Sequence, residues 1–189
     1  MELGRRYENL LSRTKEGSDI WRINHADGQP VAVSSETARL IETALSYCAM
    51  ADGGYDITIG AVSELWDFRA DEPSLPASGQ MKEALKTVDY RGVNVDGNTV
   101  TLTVPARSWI WGSIAKGYIA DRMADLLREQ GVQSAILDLG GNIYVLGGKP
   151  DGTDFRVGVQ SPFDESQLGA VSVKDKSLVT SGVNQRGLP

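Results

Sequence analysis

The stretch "GSIAKGYIAD", residues 112–121, holds the side chains best suited to chemistry. A Gly112-Ser113 pair directly before a helical pattern lets the backbone approach a ligand closely, and the free N–H groups of a helix start point at that ligand. Lys116 adds a full positive charge beside those donors. Such an arrangement suits an anion, a diphosphate among them. It also gives a reason for two poor local choices. Glycine inside a helix costs roughly 1 kcal/mol against alanine, and a lysine in the first turn faces the positive end of the helix dipole. The alternative is a tight loop-to-helix corner carrying a solvated lysine. A second constellation is "GGYDITIG", residues 53–60. Two glycines before an aromatic ring and a carboxylate suit a slot for a planar ligand, with Tyr55 stacking and Asp56 accepting hydrogen bonds. The alternative is a helix C-cap leading into a strand. A third is "DLGGN", where Asp138 and Asn142 flank two glycines. Polar groups buried there need partners, or they tie down a bulge.

Other chemistries find little support. His25 is the single histidine, in the turn "NHADG", so Ser-His-Asp, Cys-His and multi-histidine zinc sites are disfavoured. Cys48, the single cysteine, falls on an apolar helix face and reads as a small buried hydrophobe. It cannot form an internal disulfide. Neither the P-loop nor the dinucleotide glycine pattern occurs. The 189 residues carry a net charge of -6 and no clustered basic run, which argues against a nucleic-acid surface. No run approaches the length of a membrane span, and "MELGRRYENLLSRTKEG" is amphipathic and charged, unlike a signal peptide.

The elements that must position these residues follow from periodicity. Leu3, Tyr7, Leu10 and Leu11 mark a helix over residues 1–12, followed by a polar loop and the short segment "IWRIN". "VAVSS" is a strand candidate. Ser35 is placed to cap a helix to about Ala51, with Leu40, Ile41, Ala44, Leu45 and Cys48 on one face, stopped by Gly53-Gly54. "YDITIGAVSELWDF" shows β-branched alternation and then a short helical piece. After a Pro/Ser/Gly loop, Ser78 is placed to cap "GQMKEALKTV". "VNVDGNTVTLTV" reads as a hairpin about Asp96-Gly97. A helix is expected from about Ile114 to Gln130, ended by Gly131. "SAILDLGG" and "NIYVLGG" are strands broken at Gly140-Gly141 by a bulge or close backbone approach. "FRVGVQ", "GAVSV" and "SLVTSG" are three more strands. The order suggests an α+β fold with a mixed or antiparallel sheet and packed helices, in a single domain over 1–189.

With these pieces in order, the chain resembles the FAD:protein FMN transferases, the ApbE flavin transferase family. The resemblance rests on "LSRTKEGSDIWRIN", "GGYDITIGAVSELWDF", "GSIAKGYIADRMADLLREQGVQSAILDLGGNIYVLGG", "FRVGVQSP" and "LVTSG". It implies a two-lobed, T-fold-like domain that binds FAD with Mg²⁺ in a cleft, attacks the diphosphate and moves FMN onto a Ser or Thr hydroxyl of an acceptor flavoprotein, releasing AMP. Some members instead hydrolyse FAD to FMN and AMP. Carried over by position, Thr14 matches a flavin-contacting residue. Gly54, Tyr55 and Asp56 match the flavin-binding segment, and Gly112 and Tyr118 flank the diphosphate loop. The backbone carbonyl of Ala115 matches a magnesium ligand. The resemblance also implies an extracytoplasmic or periplasmic, membrane-associated or lipoprotein location.

The chain departs from the family pattern in three places. Ile110-Trp111 stands where the family has an aspartate followed by Leu or Phe. The N-terminal strand with its Met-Gly-Thr is missing, and the sequence stops at "TSGVNQRGLP", before the family's C-terminal metal-binding segment. The resemblance therefore implies a chain incomplete at both ends: a fragment, a split protein with a complementing C-terminal chain or a homo-oligomeric partner, or a degenerate copy. Two other readings stand beside the enzyme: a flavin- or nucleotide-binding module without transfer, and an interaction subunit whose "SLVTSG" strand offers an open edge.

Overall fold

In the computed structural model, residues 2–66, 74–103, 113–164 and 166–181 are described. The chain forms two compact units, 1–114 and 115–189. Each has its own antiparallel sheet.

The first unit opens with helix α1 (Glu2–Leu11), which buries Tyr7 and Leu11. The segment "IWRIN" belongs to a second helix, α2 (Asp19–Asn24), whose N-cap is Ser18: its hydroxyl accepts from Trp21 N at 3.0 Å. "VAVSS" contributes only a two-residue strand, β1 (Val31–Ala32). Its chain then turns into helix α3 (Ser35–Met50). The cap of α3 is Ser34, one residue before the serine expected from sequence. Ser34 Oγ accepts from Thr37 N at 3.0 Å, and Ser35 is already the first helical residue. Leu40, Ile41, Ala44 and Cys48 lie buried along one face. Each fully buried isoleucine or leucine contributes about 2 kcal/mol by leaving water. After α3 the chain reverses through Asp52 and Gly53, both at positive φ.

The short helices α4 (Gly60–Ser63) and α5 (Ser78–Leu85) follow. Ser78 does not cap α5. It is the first residue of the helix, behind Ala77, and no side chain caps that end. The expected hairpin is present as β2 (Val93–Asp96) and β3 (Thr99–Leu102), closed by Gly97-Asn98 with Gly97 at φ +55. A glycine first in a two-residue turn supplies the positive φ that matches strand twist. Strand order is β1-β3-β2.

One buried acid ties these pieces together. Asp19 Oδ2 accepts from Ser34 N at 2.9 Å and Thr37 Oγ1 at 2.7 Å, while Oδ1 accepts from Arg22. The α2 start thereby anchors the α3 start. Desolvation pushes the Asp19 carboxyl up, but these hydrogen bonds together outweigh it and hold it below the usual value.

The second unit begins with helix α6 (Ala115–Glu129). Gly131, at φ +81, closes it: its N–H bonds Arg128 O and the Val132 N–H bonds Leu127 O. Strands β4 (Ala135–Asp138) and β5 (Asn142–Leu146) form an antiparallel hairpin. Gly140-Gly141 is thus a turn and not a bulge, with Leu139 N bonded to Asn142 O and both glycines at positive φ. Strands β6 (Phe155–Gln160), β7 (Gln167–Val173) and β8 (Lys176–Val179) complete the unit. β8 lies at the edge of the sheet β4-β5-β8, and β6 pairs with β7 in a separate ribbon. Val145, Val157 and Val173 form the core, with Ile143, Phe155 and Leu178 packed against it. The architecture is α+β with antiparallel sheets, as the element order implies.

Because the Asp19 carboxyl is held below its unfolded value, its contribution is complete above pH about 4 and is lost as pH falls through the folded value. Asp19→Asn is expected to lower stability by about 1–3 kcal/mol at pH 7. In urea titrations, the gap between variant and unsubstituted chain should narrow steadily below pH 4.

Candidate functional site

The segment "GGYDITIG" is built around one carboxylate. Asp56 Oδ1 accepts from Thr58 N at 2.8 Å and from Thr58 Oγ1 at 2.6 Å. Oδ2 accepts from Tyr90 N at 3.0 Å, and Thr58 Oγ1 in turn accepts from Asp89 N at 3.0 Å. This side-chain-to-backbone bonding offers "YDITI" a turn in place of a sheet ladder, so the alternating segment is not a strand. Ile57 and Thr58 are buried beneath it. A carboxylate offers about four lone-pair positions. Three serve the fold, and one is left on Oδ2.

Gly54 is explained by its neighbour: a Cβ there would come within 3.1 Å of Ala51 O, tighter than ordinary packing allows. Tyr55 is half-buried, and its Oη lies 3.0 Å from Ser113 Oγ. Burial pushes the Tyr55 phenol up, with the Ser113 hydroxyl acting against that shift. This contact joins residues 58 positions apart, and the sequence reading did not find it. No local pattern announces it, because Ser113 serves as a loop-to-helix corner in either reading. Thr14 lies exposed in the turn between α1 and α2, where its hydroxyl meets Ser12 Oγ at 3.3 Å. Gly112, Ile110 and Trp111 lie outside the described residues.

In the second unit, Ala115 is the first residue of α6 and Tyr118 its fourth. The guanidinium of Arg122 sits over the Tyr118 ring, 5.4 Å from its centroid. Lys116 is exposed. Gly117 has a helical backbone, and among the described residues outside the helix's own backbone a Cβ added there would meet Asn142 Nδ2, at 4.0 Å. Asp138 is exposed and accepts from Gly141 N at 3.1 Å, fastening the β4–β5 turn. Asn142 Oδ1 is buried without a partner among the described residues.

A model of the ApbE family matches residues 1–188. The chain belongs to the ApbE family. It is similar to an FAD:protein FMN transferase of Klebsiella pneumoniae, 35% identical over 190 residues that span 98% of this chain and 58% of that protein. An FAD:protein FMN transferase of Treponema pallidum is 34% identical, across 95% of this chain and 54% of its own length. Among solved structures, the flavin transferase ApbE from Vibrio cholerae superposes with a TM-score of 0.85 at 26% identity, covering 97% of this chain and 61% of that one. The ApbE protein from Thermotoga maritima gives 0.83 at 27% identity, over 93% and 58%. The chain thus spans a little over half the length of the curated relatives it matches.

The family resemblance implies magnesium, and the described residues do not fit such a centre. They contain no group of three or more His, Cys, Asp or Glu able to hold a metal. Magnesium takes six oxygens and favours one or two carboxylates. Ala115 offers a backbone carbonyl alone, and most of Asp56's capacity is spent on Thr58 and Tyr90.

Two stability measurements test this account of the site. Asp56→Ala is expected to cost about 1–3 kcal/mol, because it strands the Thr58 and Tyr90 N–H groups. Loss of ligand binding in that variant would therefore follow from unfolding of the turn. Gly117→Ala should do the reverse. With a helical backbone and room for a methyl, it is expected to stabilise by about 1 kcal/mol, raising Tm by about 2–4 °C, readable by calorimetry.

Proposed function

We propose that this chain is the greater part of an FAD:protein FMN transferase. The supporting observation is the Tyr55–Ser113 hydrogen bond, which ties the segment matching the family's flavin site to the residue beside Gly112 in its diphosphate loop. Family membership over residues 1–188 gives that bond its meaning. In this reading the Tyr55 ring stacks on the isoalloxazine, and Ser113 holds the ring's orientation. Gly54 lets the chain turn tightly against Ala51 O just before Tyr55, and the remaining lone pair of Asp56 accepts from the flavin.

The reaction is a displacement at phosphorus. A Ser or Thr hydroxyl of an acceptor flavoprotein forms a new bond to the phosphorus of the FMN half. The bond from that phosphorus to the bridging oxygen breaks, AMP leaves with the oxygen, and the hydroxyl proton is released. Magnesium, as the resemblance implies, would neutralise the diphosphate. Its ligands would have to come from beyond the described residues. Water in place of the acceptor hydroxyl would give FMN and AMP. We further place the protein outside the cytoplasm in association with a membrane, on the resemblance alone; among the described residues no helix is long and apolar enough to cross one.

Incubation with FAD and Mg²⁺, with an EDTA control, is expected to yield magnesium-dependent AMP by chromatography. Absence of AMP would overturn transfer and hydrolysis by this chain and leave a binding module. Tyr55→Ala is expected to weaken flavin binding, read by fluorescence quenching, by roughly 2- to 10-fold, the scale of one aromatic stack. Unchanged quenching would remove Tyr55 from the flavin face.

A further inference from the structure

The direction in which Asp56 points is set by its partners. The last torsion of an aspartate is broad, so the side chain alone does not fix where its two oxygens lie. Three hydrogen bonds fix them. Thr58 N and Thr58 Oγ1 donate to Oδ1 at 2.8 and 2.6 Å, and Tyr90 N donates to Oδ2 at 3.0 Å. Two of these donors are backbone groups. The third, the Thr58 hydroxyl, belongs to a side chain that is fully buried. Its polarity is fixed as well. Asp89 N donates to Thr58 Oγ1 at 3.0 Å, and a backbone N–H can only donate, so the hydroxyl hydrogen is left for the carboxylate. A hydroxyl 2.6 Å from a carboxylate oxygen makes a charge-assisted bond, stronger than a neutral one. Both acceptor positions of Oδ1 are thereby filled, and one on Oδ2 stays open.

We infer that Thr58 is a positioning residue for flavin recognition: its buried hydroxyl occupies Oδ1 and turns the open acceptor position of Oδ2 toward the flavin. Thr58 acts through Asp56 and, being buried, does not itself touch the ligand. Without the hydroxyl, Oδ1 regains an acceptor position and the carboxylate has more freedom to rotate. A single directed acceptor then becomes a choice between two oxygens. Asp56, Thr58, Asp89 and Tyr90 all lie in the first unit, so the device is complete within it. This inference rests on the flavin reading above and gives Thr58 a part which that reading does not contain.

The test is a titration of the full chain with three probes, alongside thermal melts. FAD carries both halves of the ligand, riboflavin the ring without phosphate, and ADP the diphosphate without the ring. Thr58→Val, close to threonine in shape but without the hydroxyl, is expected to weaken FAD and riboflavin alike by roughly tenfold, the scale of one hydrogen bond to a charged group. Its ADP affinity should stay within about twofold of the unsubstituted chain. Thr58→Ser keeps the hydroxyl and loses a buried methyl. It is expected to lower Tm and yet hold flavin affinity within about twofold, a separation that a merely structural role would not produce. Thr58→Cys, similar in size with a weak S–H donor, should fall between the two and serves where Thr58→Val does not fold. Full flavin affinity in Thr58→Val or Thr58→Cys would overturn the inference, as would equal losses of riboflavin and ADP. Failure of the unsubstituted chain to bind FAD or riboflavin would instead overturn the flavin reading, and this role with it.

Discussion

The Asp56 carboxylate is the constraint on which the candidate flavin segment depends. By accepting from Thr58 twice and from Tyr90 N, it converts a stretch with strand-like alternation into a turn. It also fastens that turn to the residues that lead into β2. Thr58 carries the linkage one step further through Asp89 N. Each of these bonds satisfies a donor that would be costly to bury unpaired. The consequence is a rigid platform from which Tyr55 emerges half-buried, neither sunk in a core nor free in solvent. A tyrosine held in that way presents one face and a fixed hydroxyl, and Ser113 meets that hydroxyl.

A second acid organises the same unit at its other end. Asp19 bonds the α3 start through Ser34 and Thr37 while pairing with Arg22 on its own helix. The Ser18 and Ser34 caps, each bonded to an N–H three residues on, then set where the two helices begin. Asp19 and Asp56 share one device: a short acidic side chain replaces backbone partners that sheet or helix would otherwise provide. The device serves structure in both cases, and in Asp56 it leaves one acceptor position over.

In the second unit, the two faces of β5 divide the labour. One face carries Ile143 and Val145 into the apolar core with Val157 and Val173. The other sets Asn142 and Tyr144 against α6, where Tyr144 finds Arg128 and Asn142 finds a glycine.

Much of this was legible in the sequence. Strongly periodic segments gave α3, α6 and the β2–β3 hairpin, because burial of one face demands a fixed repeat and Gly97 and Gly131 mark their ends. The family was legible for the same reason as the glycines: close backbone approach tolerates few substitutes, so those residues stand out. Local competition escaped the sequence. Ser34 and Ser35 are equivalent as letters, and only the bonds from Ser34 to Thr37 and Asp19 choose between them. "YDITI" carries strand propensity, and only Tyr90, 34 residues away, completes the turn that defeats it. "DLGGN" reads from sequence as a bulge or a close backbone approach, because periodicity does not register which strand returns beside which. The sequence by itself determined the elements, the family and the chemistry on offer. The tertiary structure alone decided which polar groups spend that chemistry on the fold, since hydrogen bonds between residues distant in the chain leave no periodic trace.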